Sequence, residues 1–167
     1  GGAGDDVLIG GEGDDRLFGG EGNDTVLYDT DEDLSVSLSS TGGLQFANRL
    51  TSVGMDKLEG VENIVTGSGD DTLVGDANAN VLTGGSGDDT LTGGAGDDVF
   101  RFYASEGLST DVITDFSAGD SIELVDDTGS SAVAQITSDA NGSTVTWDEL
   151  TIVLDVVIDY DDINPIS

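Results

Sequence analysis

The stretch GGSGDDTLTGGAGDDVFR, Gly84 to Arg101, is two nine-residue units in register, each fitting Gly-Gly-x-Gly-x-Asp-x-U-x with U a large apolar residue. The same template opens the chain as GGAGDDVLI (Gly1 to Ile9), GGEGDDRLF (Gly10 to Phe18) and GGEGNDTVL (Gly19 to Leu27). TGSGDDTLV (Thr66 to Val74) matches at four of its five defined positions. GDANANVLT (Gly75 to Thr83) keeps only Gly75 and Leu82, with Asn80 in place of the Asp. A fixed period over two blocks marks a repeat architecture.

Three glycines and an Asp in six residues cannot favour a helix, so the front of each unit is a turn. The x-U-x that follows is a very short strand with one residue inward: Leu8, Leu17, Val26, Leu73, Leu82, Leu91 and Phe100. One unit makes half a coil, and eighteen residues a full one. Parallel strands stack roughly 4.8 Å apart, so Asp side chains of successive coils face one another at that spacing. Such carboxylates repel, and one would take up a proton unless a cation lies between them. Calcium–oxygen bonds of about 2.3 to 2.6 Å span this spacing, whereas magnesium at about 2.0 to 2.1 Å falls short and resists dehydration. Groups two residues apart in an extended turn point the same way. The carbonyls of template positions 2 and 4 would therefore join the Asp at position 6, and glycine leaves the backbone open to the ion.

These units resemble the RTX (repeats-in-toxin) calcium-binding family, whose nonapeptides form a parallel β-roll. Carried over by position, the family's ligand Asp falls on Asp6, Asp15, Asp24, Asp71, Asp89 and Asp98, with Asn80 standing at that position in the departing unit. The backbone ligands fall on Gly2, Gly4, Gly11, Gly13, Gly20, Gly22, Gly67, Gly69, Gly85, Gly87, Gly94 and Gly96. Asp111 and Asp115 are favoured over Asp120 to close the last site. Stacked pairs imply about four to seven calcium ions, if each uses a shell of 6 to 8 oxygens shared between coils.

The chain holds 35 Asp and Glu against 4 Lys and Arg, a formal net charge of −31. That charge argues against nucleic acid or an anionic membrane as partner, and self-repulsion opposes compaction until cations bind. Neither Cys nor His is present, which excludes disulfides, thiol chemistry, His-dependent catalysis and the usual zinc sites. No run of about 20 apolar residues exists to span a membrane. No nucleophile stands with a base, so neither catalytic nor cofactor-binding residues are assigned.

Between the repeat blocks, residues 28–65 read as an insert of longer coils: Leu34, Val36 and Leu38 alternate like a half-buried strand, and Thr41 to Gly43 make a turn. The acidic run Asp29, Asp31, Glu32 and Asp33 is a candidate partner for the site left open by the second unit. After Arg101 the period breaks. DVITDF (Asp111 to Phe116), SIELV (Ser121 to Val125), AVAQI (Ala132 to Ile136), TVTW (Thr144 to Trp147) and LTIVL (Leu150 to Leu154) read as antiparallel strands. Asn141-Gly142 is the strongest hairpin signal among them, and Trp147 reads as core. A stacked solenoid needs such a cap.

The expectation is an all-β chain: a parallel β-roll over residues 1–101 with an insert at about 28–65, then a C-terminal antiparallel β cap over 102–167. The resemblance implies a secreted protein, extracellular or at the cell surface, exported by type I secretion machinery that reads a signal near VVIDYDDINPIS, Val156 to Ser167. The first residues lie in frame on a repeat without Met, implying an upstream domain of the same polypeptide. The roll would be its calcium-dependent secretion and stabilising segment. The alternatives are a substrate-binding module of a secreted polysaccharide-modifying enzyme, protease or lipase, and an adhesin or surface-layer segment.

Overall fold

A computed structural model describes residues 1–38, 54–107, 109–126, 135–139, 142–147, 150–154 and 163–166. The repeat region gives β1 (Val7–Leu8), β2 (Arg16–Phe18), β3 (Thr25–Leu27), β4 (Ser35–Ser37), β5 (Lys57–Glu59), β6 (Asn63–Val65), β7 (Thr72–Val74), β8 (Val81–Thr83), β9 (Thr90–Thr92) and β10 (Val99–Tyr103). Beyond it lie β11 (Ser109–Ile113), β12 (Ser121–Val125), β13 (Gln135–Asp139), β14 (Gly142–Trp147), β15 (Leu150–Leu154) and β16 (Ile163–Ile166). Most repeat strands have three residues, because the template allots three between one turn and the next glycine.

Alternate strands build opposite faces. The first sheet runs β1-β3-β6-β8-β10-β12-β16, all parallel. The second runs β4-β7-β9-β11-β15 in parallel and ends in the antiparallel strands β14 and β13. The inward residues register into two columns. Val26, Ile64, Leu82, Phe100 and Ile122 stack on one face, and Val36, Leu73, Leu91 and Ile113 on the other, all fully buried. Leu8 begins the first column only partly buried. Phe100 meets Phe116 at 6.1 Å between ring centroids.

The insert departs from chain order. β4 stacks forward on β7, whereas the later β5 stacks back on β2 in a separate two-stranded sheet. Leu34, Val36 and Leu38 are buried as their alternation predicts. The expected turn at Thr41 to Gly43 lies outside the described residues, as do Ala132 to Ala134 and the side chain of Trp147.

The roll also runs further than the repeats. Asp111 to Phe116 and Ser121 to Val125 read as antiparallel, yet β11 and β12 are parallel and continue the two sheets. The template's glycines disappear there, but the inward apolar residues persist, and pairing follows them. Among the described residues antiparallel pairing is confined to β13, β14 and β15. The expected hairpin forms, but Asp139 pairs with Gly142, so Gly142 opens β14 as a paired residue where an Asn141-Gly142 turn would have set Ala140 opposite Ser143. Much of Val156 to Ser167 is likewise not described, but Ile163–Ile166 joins the first sheet as its last strand. Pro165 fits there because an edge strand needs no N–H on its outer side. Among the described residues, no helix is long and apolar enough to cross a membrane.

Candidate metal centre

Template position 6 immediately precedes a strand, and the two faces thus give two ladders. On the first, the Asp6 N–H donates to Asp24 Oδ1 (2.8 Å) and the Asp24 N–H to Glu62 Oε2 (2.8 Å). Further along, the Asn80 N–H donates to Asp98 Oδ1 and the Asp98 N–H to Asp120 Oδ1, each at 2.9 Å. On the second, Asp15 donates to Asp56 Oδ1 (2.8 Å), Leu34 to Asp71 Oδ1 (2.7 Å), Asp71 to Asp89 Oδ1 (2.8 Å) and Asp89 to Asp111 Oδ1 (2.9 Å). One oxygen of each accepting carboxylate thus holds the backbone of the coil before it. Position 5 makes an outer ladder of opposite sense, with Asn23, Asp88 and Thr110 N–H groups donating to Asp5, Asp70 and Asp88 of the preceding coil.

The second oxygens are what this arrangement leaves over. Oδ2 of Asp15, Asp24, Asp71 and Asp98 is buried and accepts no hydrogen bond. The first glycine of the template keeps that space open: a Cβ on Gly19, Gly84 or Gly93 would strike Oδ2 of Asp24, Asp89 or Asp98 in its own turn. Position 2 stacks coil on coil through its carbonyl, as when Ser86 N–H donates to Gly67 O (2.9 Å) and Glu21 N–H to Gly2 O (2.9 Å). A carbonyl has a second lone pair for an ion. Gly85 and Gly87 adopt φ of 93° and 116°, where a side chain would be strained. Gly4, Gly11, Gly13, Gly20, Gly22, Gly94 and Gly96 share that region; Gly2, Gly67 and Gly69 do not.

Burial sets the electrostatics. It pushes the Asp89 carboxyl up to about 8 and Asp111 to about 6, with neighbouring carboxylates adding to the shift. Asp56, Asp71 and Asp98 are raised for the same first reason. Buried paired carboxylates of this kind want either protons or a cation. Among the described residues, no three acidic side chains converge on one point. An ion would therefore be held by carboxylates together with backbone carbonyls. Such all-oxygen donor sets suit hard cations such as calcium. The residues fit the ion that the spacing implied.

Asp6, Asp15, Asp24, Asp71, Asp89, Asp98 and Asp111 all stand on the ladders, with Asn80 at the same register. Asp115 does not: its two oxygens accept the N–H groups of Gly93 and Gly94, both at 2.8 Å. The rung belongs instead to Asp120, ranked below it from sequence. Asp15 meets Asp56, not the acidic run at Asp29 to Asp33, which stacks under the Thr66 unit through Thr30 O and Asp33 Oδ1. Asp56 and Glu62 were missed, although Gly54-x-Asp56-x-Leu58 carries the second half of the template. Tyr28 was missed too: it is buried and its hydroxyl donates to Asp56 Oδ2 (3.0 Å).

The model of the RTX calcium-binding nonapeptide repeat matches residues 1–34 and 59–100, in 4 copies. No curated protein sequence matches the chain. Among solved structures, the extracellular lipase LipA from Serratia marcescens is 19% identical, with a TM-score of 0.48, over 96% of this chain and 37% of the lipase chain. The AlgE6R3 subunit from the Azotobacter vinelandii mannuronan C5-epimerase is 21% identical, with a TM-score of 0.33, over 98% of this chain and 80% of that one. The chain thus spans little more than a third of the lipase it aligns with. The repeat region of this chain belongs to the RTX calcium-binding nonapeptide-repeat family.

Proposed function

We propose that the chain is a calcium-folded β-roll, the secretion and stabilising segment of a larger extracellular protein exported by type I machinery. Residues 1–101 are its repeat part and 102–167 the piece that ends it. The observation that carries this is the set of buried, partnerless Oδ2 atoms on Asp15, Asp24, Asp71 and Asp98. Asp6, Asp15, Asp24, Asp71, Asp89, Asp98 and Asp111 would supply the carboxylates, and the glycines at positions 2 and 4 the carbonyls. About four to seven ions follow from shells of 6 to 8 oxygens shared between coils.

Bound calcium supplies the positive charge that lets paired carboxylates stay ionised inside the turns. The chain does the rest: Oδ1 fixes each coil to the one before, glycine opens room for Oδ2, and the apolar columns close once the turns are held. Folding and binding are then one equilibrium. At the low free calcium of a cell interior, a chain of net charge −31 stays extended and fit for threading through an exporter. Outside, at millimolar calcium, it closes. Small-angle scattering in chelator and in calcium tests this. The radius of gyration should fall from an expanded-chain value to that of a compact rod, and an equal radius in both would refute it.

A further inference from the structure

The turn from Gly75 to Asn80 differs from every other turn of the first ladder. Asn80 stands where Asp24 and Asp98 stand, is almost fully buried, and lies in the same cradle, since a Cβ on Gly75 would meet its Oδ1. Yet both ends of its amide are used. Oδ1 accepts the Asp76 N–H (2.7 Å), and Nδ2 donates to the Glu62 carbonyl on the preceding coil (2.7 Å). The amide orientation follows from these partners, because flipping it would set oxygen against a carbonyl and NH2 against an N–H. Asp76 and Asn78, which replace the glycines of positions 2 and 4, close the turn further. Asp76 Oδ1 accepts the Asn78 N–H (2.8 Å), and Asn78 Nδ2 donates to both Asp76 oxygens at 3.1 Å. Oδ2 of Asp24 and Asp98 is left without a partner; no atom of Asn80 is.

We propose that Asn80 is a built-in substitute for a calcium ion, its Nδ2 supplying to the Glu62 carbonyl the positive end that a cation supplies elsewhere. The inference rests on the calcium-roll reading above and sharpens it. The Glu62–Asn80 rung takes no ion, and the first ladder divides into two calcium blocks, Asp6–Asp24–Glu62 and Asp98–Asp120. A rung that closes on side-chain amides holds the middle of the roll in register at calcium levels too low to fill its neighbours.

The test counts calcium bound per full-length chain by equilibrium dialysis, for the wild type, Asn80→Ala and Asn80→Asp, with a thermal melt of each in saturating calcium. Asn80→Ala should bind as many ions as the wild type and melt lower, because the Glu62 carbonyl and the Asp76 N–H lose their partner. Asn80→Asp should bind one ion more. If the alanine variant does not fold, Asn80→Ser, which keeps a small polar group in the cradle, answers the same count. An alanine or serine variant that loses an ion, or an aspartate variant that gains none, overturns the substitution by Asn80 while leaving the calcium roll standing. A wild-type chain that binds no calcium overturns both.

Discussion

Each ladder carboxylate divides its labour between two oxygens, and the first glycine of the template exists for the second one. A Cβ on Gly84 would sit on Asp89 Oδ2. Gly84→Ala should therefore weaken calcium binding and lower stability in calcium by about 1–3 kcal/mol, the usual cost of overpacking a filled space, read from thermal melts. Asp89 itself predicts a change of sign. Its carboxyl is raised to about 8 by burial, so at neutral pH without calcium it must be protonated to fold. Asp89→Asn removes that cost and should stabilise the chelated chain, yet lower its calcium affinity. Paired melts with and without calcium check both directions. Little of this was legible in the sequence. The template specifies Gly at position 1, but only the folded turn shows which oxygen the missing Cβ leaves room for.

Strands of three residues contribute one inward side chain each, so each coil is stable only through its neighbours. Leu73 stacks between Val36 and Leu91 with no exposure. Leu73→Ala should cost about 2–5 kcal/mol in calcium, measured by denaturant unfolding. Removing residues 102–167 strips β11 and β12 from β9 and β10 and bares Leu91 and Phe100. The truncated chain should need more calcium to fold, and an unchanged calcium midpoint would show that the end piece is no nucleus. At this scale the sequence was readable wherever the glycine frame held. It failed where a single residue broke the frame. Tyr28 shifts the next unit by one, so that Leu34, not an Asp, meets Asp71 Oδ1. Thr30 and Glu32 then stack beneath Gly67 and Gly69 without a glycine to announce them. The parallel course of β11 and β12 was hidden because their composition resembles the hairpin strands that follow. Only pairing to the preceding coil separates the two.

For the molecule as a whole, net charge and buried carboxylates make proton and calcium rivals for the same sites. The folded values of Asp89 and Asp111, about 8 and about 6, exceed the unfolded Asp value of about 3.9. Their contribution to stability without calcium is thus present at low pH and lost as pH rises through those folded values. In chelator, acidification from pH 8.5 to 5 should increase β structure. In limiting calcium the same change should lower calcium affinity, as protons compete with the ion. Circular dichroism across that range reads both. The most direct measurement is far-ultraviolet circular dichroism of the chain titrated with calcium from chelator to the millimolar range at neutral pH, with magnesium as control. A cooperative coil-to-β transition with calcium, and none with magnesium, is the expected result. Complete β structure already present in chelator would contradict it, because the paired carboxylates would then be tolerated without the ion.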